Sequence, residues 1–254
     1  MKNIRHILSL LILLALPLLA QEPAVALIPE HYKIAIDSCD KFANSIKEKF
    51  TIPGMQITVM DDNQVLWSKN YGFRDLTAQL PMLSYNKMRI ASVSKMFTSV
   101  GVMKLIEMGL VSPDSTIQTY VHNFPVKSHP ITIRELLNHT SGIRHYINNE
   151  FNNPKKYKTI EEALNYFKND SLMFEPGTKV LYSSYAYNLL GVLIEHVSQM
   201  PFKDYIYKYL LFPATLKYTM PDRVGNFIKN KSNYYYLDTN KIIRNTYDYD
   251  MSYK

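Results

Sequence analysis

The stretch "RIASVSKMFTSVGVMKLIEMGL", Arg89 to Leu110, decides how this chain is read. Ser92 and Lys95, three residues apart, open a strongly apolar helical pattern. Met96, Phe97, Val100, Met103, Leu105, Ile106 and Met108 cover so much of the circumference that the helix is expected to be buried on most sides, stopping at Gly109. Residues i and i+3 share a helix face, so the Lys95 amine can approach the Ser92 hydroxyl. A helix N-terminus adds free backbone N–H groups and the positive end of the dipole, which favour an alkoxide or the oxyanion it creates. An ordinary helix start, with Ser92 as N-cap and Lys95 in solvent, fits the same letters, and the spacing alone does not choose. The spacing also recurs at Ser38/Lys41 and Ser84/Lys87. Ser38 falls inside an amphipathic helical pattern and Ser84 in a polar connection, so neither has the apolar setting of Ser92.

Upstream, residues 31–50 place Ile34, Ile36, Phe42, Ile46 and Phe50 at helical spacing among charges, which predicts one amphipathic helix. Cys39, the single cysteine, lies in that helix and is expected to be buried as a small apolar residue. Two extended runs follow, Met55–Met60 and Gln64–Lys69, joined at Asp61-Asp62-Asn63 as a hairpin. Downstream of the Ser92 block, "ITIRELLNHTSGI" predicts a helix ended by Ser141-Gly142, and further helices are expected at Thr159–Lys168 and Ser184–Gln199. The last of these follows a turn at Glu175-Pro176-Gly177 and an extended Val180-Leu181-Tyr182, and a short helix is expected after Pro201. Tyr182 therefore stands between an extended run and a helix N-terminus, where a phenol can project into a cleft. The chain has 20 tyrosines, so position and not residue type singles this one out.

At 254 residues and 46% hydrophobic content, the chain can bury a sizeable core as one domain with two lobes. Residues 1–20 read as an export signal. Lys2 and Arg5 precede an apolar run from Ile7 to Ala20, too short for a comfortable membrane span, with cleavage expected after Ala20 or as late as Ala26. The expected product is periplasmic or secreted, and peripheral membrane association is expected only if the signal stays uncleaved. Loss of that segment removes two positive charges from a formal net charge of +7, and the rest are dispersed, which argues against a nucleic-acid partner. One cysteine permits no internal disulfide. His122, His129, His139 and His145 lie close in sequence but none pair at i, i+4, and no HExxH occurs, so neither a metal nor another cofactor is expected.

Three blocks in this order and spacing, "RIASVSKMFTSVGVMKLIEMG", "ITIRELLNHTSGIRHY" and "FEPGTKVLYSSYAYNLLGVLIEHVS", resemble the serine beta-lactamase and penicillin-binding superfamily. Within it the chain looks most like the class C-like, LACTB-type group of beta-lactamase-related serine hydrolases, over residues 31 to 222. The resemblance implies an α+β, beta-lactamase/transpeptidase-like fold: an antiparallel sheet with an N-terminal helix and a mostly helical lobe, spanning residues 27–254. It implies Ser92 as the acylated nucleophile, Lys95 as its proton acceptor and Tyr182 as the relay to the leaving group, with the identity of the base varying between such enzymes. The substrate would be a small molecule or peptidoglycan-derived: a stem peptide, a beta-lactam or an ester. Ser184 takes the substrate-contacting place where the family has Asn in Tyr-x-Asn, one hydroxyl instead of an amide that donates and accepts. The His139-Thr140-Ser141-Gly142 block resembles a family landmark and is read as a structural turn. No Lys-Thr-Gly or His-x-Gly triplet follows Tyr182, and the chain reads as the front two-thirds of such a domain, with the C-terminal strands missing. On that ground the alternative expectation is a catalytically impaired, peptidoglycan-binding or assembly-forming relative of the same fold.

Overall fold

A computed structural model describes residues 30–148, 150–152, 155, 157–222 and 227–245. The export signal expected at residues 1–20, with its cleavage sites, lies outside the described residues. The chain divides into two compact units at Asn86/Lys87, and each is described by itself.

The first unit is a helix on a small antiparallel sheet. Helix α1 (Glu30–Lys49) is followed by β1 (Gly54–Asp61), β2 (Gln64–Asp75) and β3 (Leu80–Pro81), in sheet order β1-β2-β3. The expected hairpin is present. Asp62 and Asn63 both take positive φ, 44° and 64°, the conformation a two-residue turn between right-twisted strands requires. Trp67 and Tyr71 of β2 are buried with Ala43 of α1, and Ile36, Met55 and Ile57 pack around them.

This packing corrects the predicted inward face of α1. Ile34, Phe42 and Phe50 are exposed, and so is Cys39. The helix is rotated so that Asp40 accepts a hydrogen bond from the Tyr71 hydroxyl at 2.6 Å and pairs with Lys69 at 2.7 Å. Small Ala43 allows close approach to the sheet. Burial first, and then the bond to Asp40, push the Tyr71 phenol well above its ordinary range.

The second unit is mostly helical. A 3₁₀ turn at Ala91–Val93 runs into α2 (Ser94–Glu107); α3 (Ile133–Leu137), α4 (Ser184–Ser198) and α5 (Phe202–Ile206) follow, α5 continuing as a π-turn at Tyr207–Leu211. The core is built on α4, whose Ala186, Leu189, Leu190, Leu193 and Ile194 are fully buried, with Val102 and Leu105 of α2 and Ile133 and Leu136 of α3 against it. A hairpin of β4 (Tyr235–Leu237) and β5 (Ile243–Asn245), not foreseen in the tyrosine-rich segment, forms a separate two-stranded sheet.

Three helical expectations are corrected. Helix α2 does stop before Gly109, which takes φ +71°. It is not buried on most sides, however: Thr98, Gly101, Val102 and Leu105 face inward, while Val93, Met96, Val100 and Met103 form an exposed stripe. Apolar residues on every side leave the helix no sequence signal for which side finds a partner. Helix α3 starts at a capping box between Thr132 and Glu135 but ends at Asn138, before Ser141-Gly142, because His139 turns to φ +59°. At Thr159–Lys168 only a 3₁₀ segment, Glu162–Tyr166, forms.

Candidate active site

Ser92 lies in the 3₁₀ turn that leads into α2, one residue after Ala91, whose φ of +45° is left-handed. A β-carbon is disfavoured in that region, so the turn holds Ser92 through a strained neighbour. Ser92 does not cap the helix: Val93 occupies the N-cap position of α2 without a side-chain cap. Instead the Lys95 amine donates to Ser92 Oγ at 3.3 Å. The other two serine–lysine pairs are engaged elsewhere. Ser38 Oγ donates back to Ile34 O at 2.8 Å, and Lys87 Nζ donates to Lys229 O at 3.0 Å.

Tyr182 completes the group from the N-terminal side of α4. Lys95 Nζ sits 4.9 Å from the Tyr182 ring centroid and 5.8 Å from that of Tyr187. The Tyr187 hydroxyl donates to Leu137 O at 3.0 Å and lies 3.0 Å from Ser99 Oγ, which ties the aromatic floor to α2 and α3. Burial alone would push the Tyr182 phenol up. Hydrogen bonds with Lys95 and Ser92, the Lys95 charge and a further bond with Ser184 outweigh it and hold the phenol below its ordinary range. Ser92, Lys95, Tyr182 and Ser184 thus meet in one place. Ser184 is buried, and its hydroxyl acts to lower the proton affinity of both the Tyr146 and the Tyr182 phenols.

Two histidines that sequence spacing left scattered are brought together here. His139 packs tilted against Tyr182 and His145 meets it edge-on, with ring centroids 4.6 Å and 5.4 Å away. His139 Nδ1 accepts the Ser183 N–H at 3.1 Å, and His145 Nδ1 accepts the Ser184 N–H at 3.2 Å. An acceptor nitrogen carries no proton, so both rings are neutral with the proton on Nε2. Burial, and then the Lys95 charge, lower the proton affinity of both imidazoles; for His139 the neighbouring His145 adds to this. His122 Nδ1 lies 3.0 Å from Gln118 O and His129 Nδ1 lies 3.3 Å from Ser128 Oγ, away from this group. Among the described residues no cluster of three or more His, Cys, Asp or Glu is arranged to hold a metal.

The His139–Gly142 turn is structural, and its glycine has a steric reason. Gly142 has φ +75°, and a Cβ there would lie 2.4 Å from Phe174 O. Beyond the turn, Arg144 anchors the loop that carries His145. Its guanidinium pairs with Glu150 at 2.7 Å and with Asp170 at 2.5 Å, while the Ser183 hydroxyl donates to Arg144 O at 2.8 Å and accepts from Ala186 N–H. Burial would raise the Glu150 carboxyl. Bonds from Arg144, the Ile147 N–H and the Tyr185 hydroxyl, with the Arg144 charge, hold it below the usual carboxylate range.

The Arg144 and Glu150 side chains are only 11% and 17% exposed, so cutting the pair leaves a desolvated guanidinium. Glu150→Ala is expected to cost about 3 kcal/mol at neutral pH, the low end for a broken buried pair because Asp170 still faces Arg144. The native carboxyl is depressed, so this stability is full above the unfolded-state value and is lost as pH falls through the folded one. Urea midpoints of the two proteins should therefore converge in acid; a constant gap would assign the loss to packing instead.

A serine and an amine at the start of α2 thus lie beside a phenol that precedes α4 and two imidazoles, on a mixed helix-and-sheet fold. The chain belongs to the Beta-lactamase family, whose pattern it matches over residues 42–254. It is 28% identical to the human serine beta-lactamase-like protein LACTB, mitochondrial, over 87% of this chain and 53% of the human one. It is 30% identical to Protein flp of Staphylococcus aureus strain MW2 over 68% of this chain and 35% of that protein. The chain thus spans about half or less of the length of these curated relatives. The octameric penicillin-binding protein homologue from Pyrococcus abyssi superposes with a TM-score of 0.76 at 25% identity, covering 85% of this chain and 51% of that one. A class C beta-lactamase superposes at 0.69 and 21% identity over 82% of this chain and 56% of that one. The beta-lactamase/transpeptidase-like fold expected from the three sequence blocks is the one observed.

Proposed function

We propose that this protein is a serine hydrolase that works through an acyl-serine intermediate on amide or ester bonds. The observation that carries the reading is the grouping of Ser92, Lys95 and Tyr182: Lys95 Nζ donates to Ser92 Oγ at 3.3 Å and lies 4.9 Å from the Tyr182 ring centroid, and both neighbours lower the proton affinity of the Tyr182 phenol. In the proposed sequence Lys95 acts in its free-amine form: Ser92 Oγ attacks a carbonyl carbon as its proton passes to the lone pair of the Lys95 amine. Tyr182 relays a proton onto the leaving group as the carbonyl–heteroatom bond breaks, and water then releases the acyl group through the same relay in reverse. The lowered proton affinity of Tyr182 suits a group that must give up its proton and recover it within one cycle.

The substrate class proposed is a small acyl compound or a peptidoglycan-derived peptide; a beta-lactam fits the same chemistry. Ser184 in place of an amide supports ester or simple acyl substrates over beta-lactams, because one hydroxyl offers a substrate amide fewer hydrogen bonds than a side-chain amide, which donates and accepts at once. Export to the periplasm or the exterior belongs to the proposal and is supported by Lys2, Arg5 and the apolar run that follows them.

Stopped-flow hydrolysis of p-nitrophenyl acetate and of a chromogenic cephalosporin tests the reading. An initial burst of nitrophenol close to one equivalent per protein, followed by slower turnover, is the expected trace for the ester, with cephalosporin opening much slower. Turnover with no burst and no trappable acyl group would argue for direct attack by water and against this function.

A further inference from the structure

The phenol at the centre of this site has no covalent reason to point at Lys95. Tyr182 precedes α4 in a segment without regular structure, and 43% of its surface is exposed. What holds it are its flanking residues. The Leu181 N–H donates to His139 O at 2.8 Å, the Ser183 N–H donates to His139 Nδ1, and the Ser184 N–H donates to His145 Nδ1. His139 therefore grips the chain on both sides of Tyr182, while His145 takes the next N–H and the two rings bracket the phenol. Helix N-termini leave such N–H groups without intrahelical partners, and carboxylates or hydroxyls commonly take them. Two imidazoles in that place make the anchoring conditional on protonation. An imidazolium has no lone pair for an N–H, and the positive end of α4 repels it.

We propose that His139 and His145 are positioning residues which, only as neutral Nε2–H imidazoles, hold the Tyr182 phenol in register with Lys95 and Ser92, so that protonating them uncouples Tyr182 from the serine–lysine pair. The charged and titratable groups that face them are Lys95 of α2, Tyr182 and Tyr187 at and within the start of α4, and Tyr146 with the Arg144–Glu150 pair of the loop. Lys95 and the helix terminus both oppose an imidazolium, and Glu150 is committed to Arg144 and Tyr185 and does not compensate. Burial and the Lys95 charge shift the transition below the ordinary imidazole range, so the arrangement is intact at neutral pH and is lost in mild acid.

The inference rests on the acyl-serine reading, and the experiment separates the two. Long-range ¹H–¹⁵N spectra of the full-length, histidine-labelled protein at neutral pH are expected to show both rings as the Nε2–H tautomer, whatever the activity. His145→Phe keeps a ring and removes the acceptor; it should lower kcat for p-nitrophenyl acetate about 10- to 100-fold with little change in KM, the scale of a misplaced reacting group. His145→Asn and His139→Asn restore an acceptor near Nδ1, and asparagine tolerates the φ of +59° at position 139. Each should recover most of the neutral-pH rate, and the double asparagine variant should lose the acid limb of the kcat profile. Either ring found as the Nδ1–H tautomer or as imidazolium at neutral pH would overturn the proposal. So would a folded His145→Phe protein with unaltered kcat and acid limb. If the wild type turns over no ester, the acyl-serine reading falls, while the tautomer spectra still support or overturn the anchoring.

Discussion

Ser92→Ala is expected to abolish acyl transfer, lowering ester turnover on the order of 10⁴-fold or more, the scale seen when a nucleophile is removed from a group of residues that act as a unit. The fold should not notice. Ser92 is exposed, caps no helix, and accepts one hydrogen bond from Lys95 at 3.3 Å, so its hydroxyl contributes little to stability. Thermal unfolding of the variant should track the wild type while steady-state turnover disappears. Retained turnover in a protein of unchanged stability would move the chemistry to another group.

The second large effect is expected at Tyr182. Phenylalanine keeps the ring between His139 and His145 and the aromatic face 4.9 Å from Lys95, so binding and local packing should persist. What goes is the hydroxyl whose proton affinity Lys95, Ser92 and Ser184 lower. Removing a positioned proton donor and acceptor typically costs about 10²- to 10⁴-fold, and kcat should carry nearly all of it. The expected split is phosphonylation by a fluorophosphonate, which expels fluoride, slowed less than turnover of an ester with a poor leaving group, since that leaving group depends most on a donated proton. Equal losses for both reagents would assign Tyr182 to activating Ser92 rather than to protonating the leaving group.

Much of this site was legible in the sequence because its parts sit at element starts. Ser92 and Lys95 are three residues apart at the mouth of an apolar helix, and Tyr182 precedes the N-terminus of the most buried one, so local pattern made both candidates and the order of the three resembling blocks chose them. His139 and His145 were not legible in the same way. Their spacing of six does not match a helix face, and the segment between them is a turn and not a strand; the turn at Gly142 and the Arg144 anchor fold the second ring back onto Tyr182. The pair of imidazoles is a product of tertiary structure, and the nearest sequence signal was their position astride the Thr140-Ser141-Gly142 turn.

The fold shows the same division. The hairpin announced itself through Asp62-Asn63, and α4 through its continuous apolar run. The faces of α1 and α2 did not. On α1 the decisive contacts are a small residue, Ala43, and a polar one, Asp40 bonded to Tyr71, which a count of large apolar residues passes over. On α2 the apolar residues surround the helix, and a pattern without a polar side cannot say that Val102 and Leu105 are buried while Met96 and Val100 are exposed.

The central claim is that Ser92 is the nucleophile because Lys95 bonds its oxygen with the Tyr182 ring alongside. Mass mapping of the full-length chain after fluorophosphonate treatment tests it most directly. The adduct should fall on the peptide that carries Ser92, form faster than on free serine, and be absent from Lys95→Met under the same exposure. An adduct on any other residue, or one that persists unchanged after Ser92→Ala, would contradict the account.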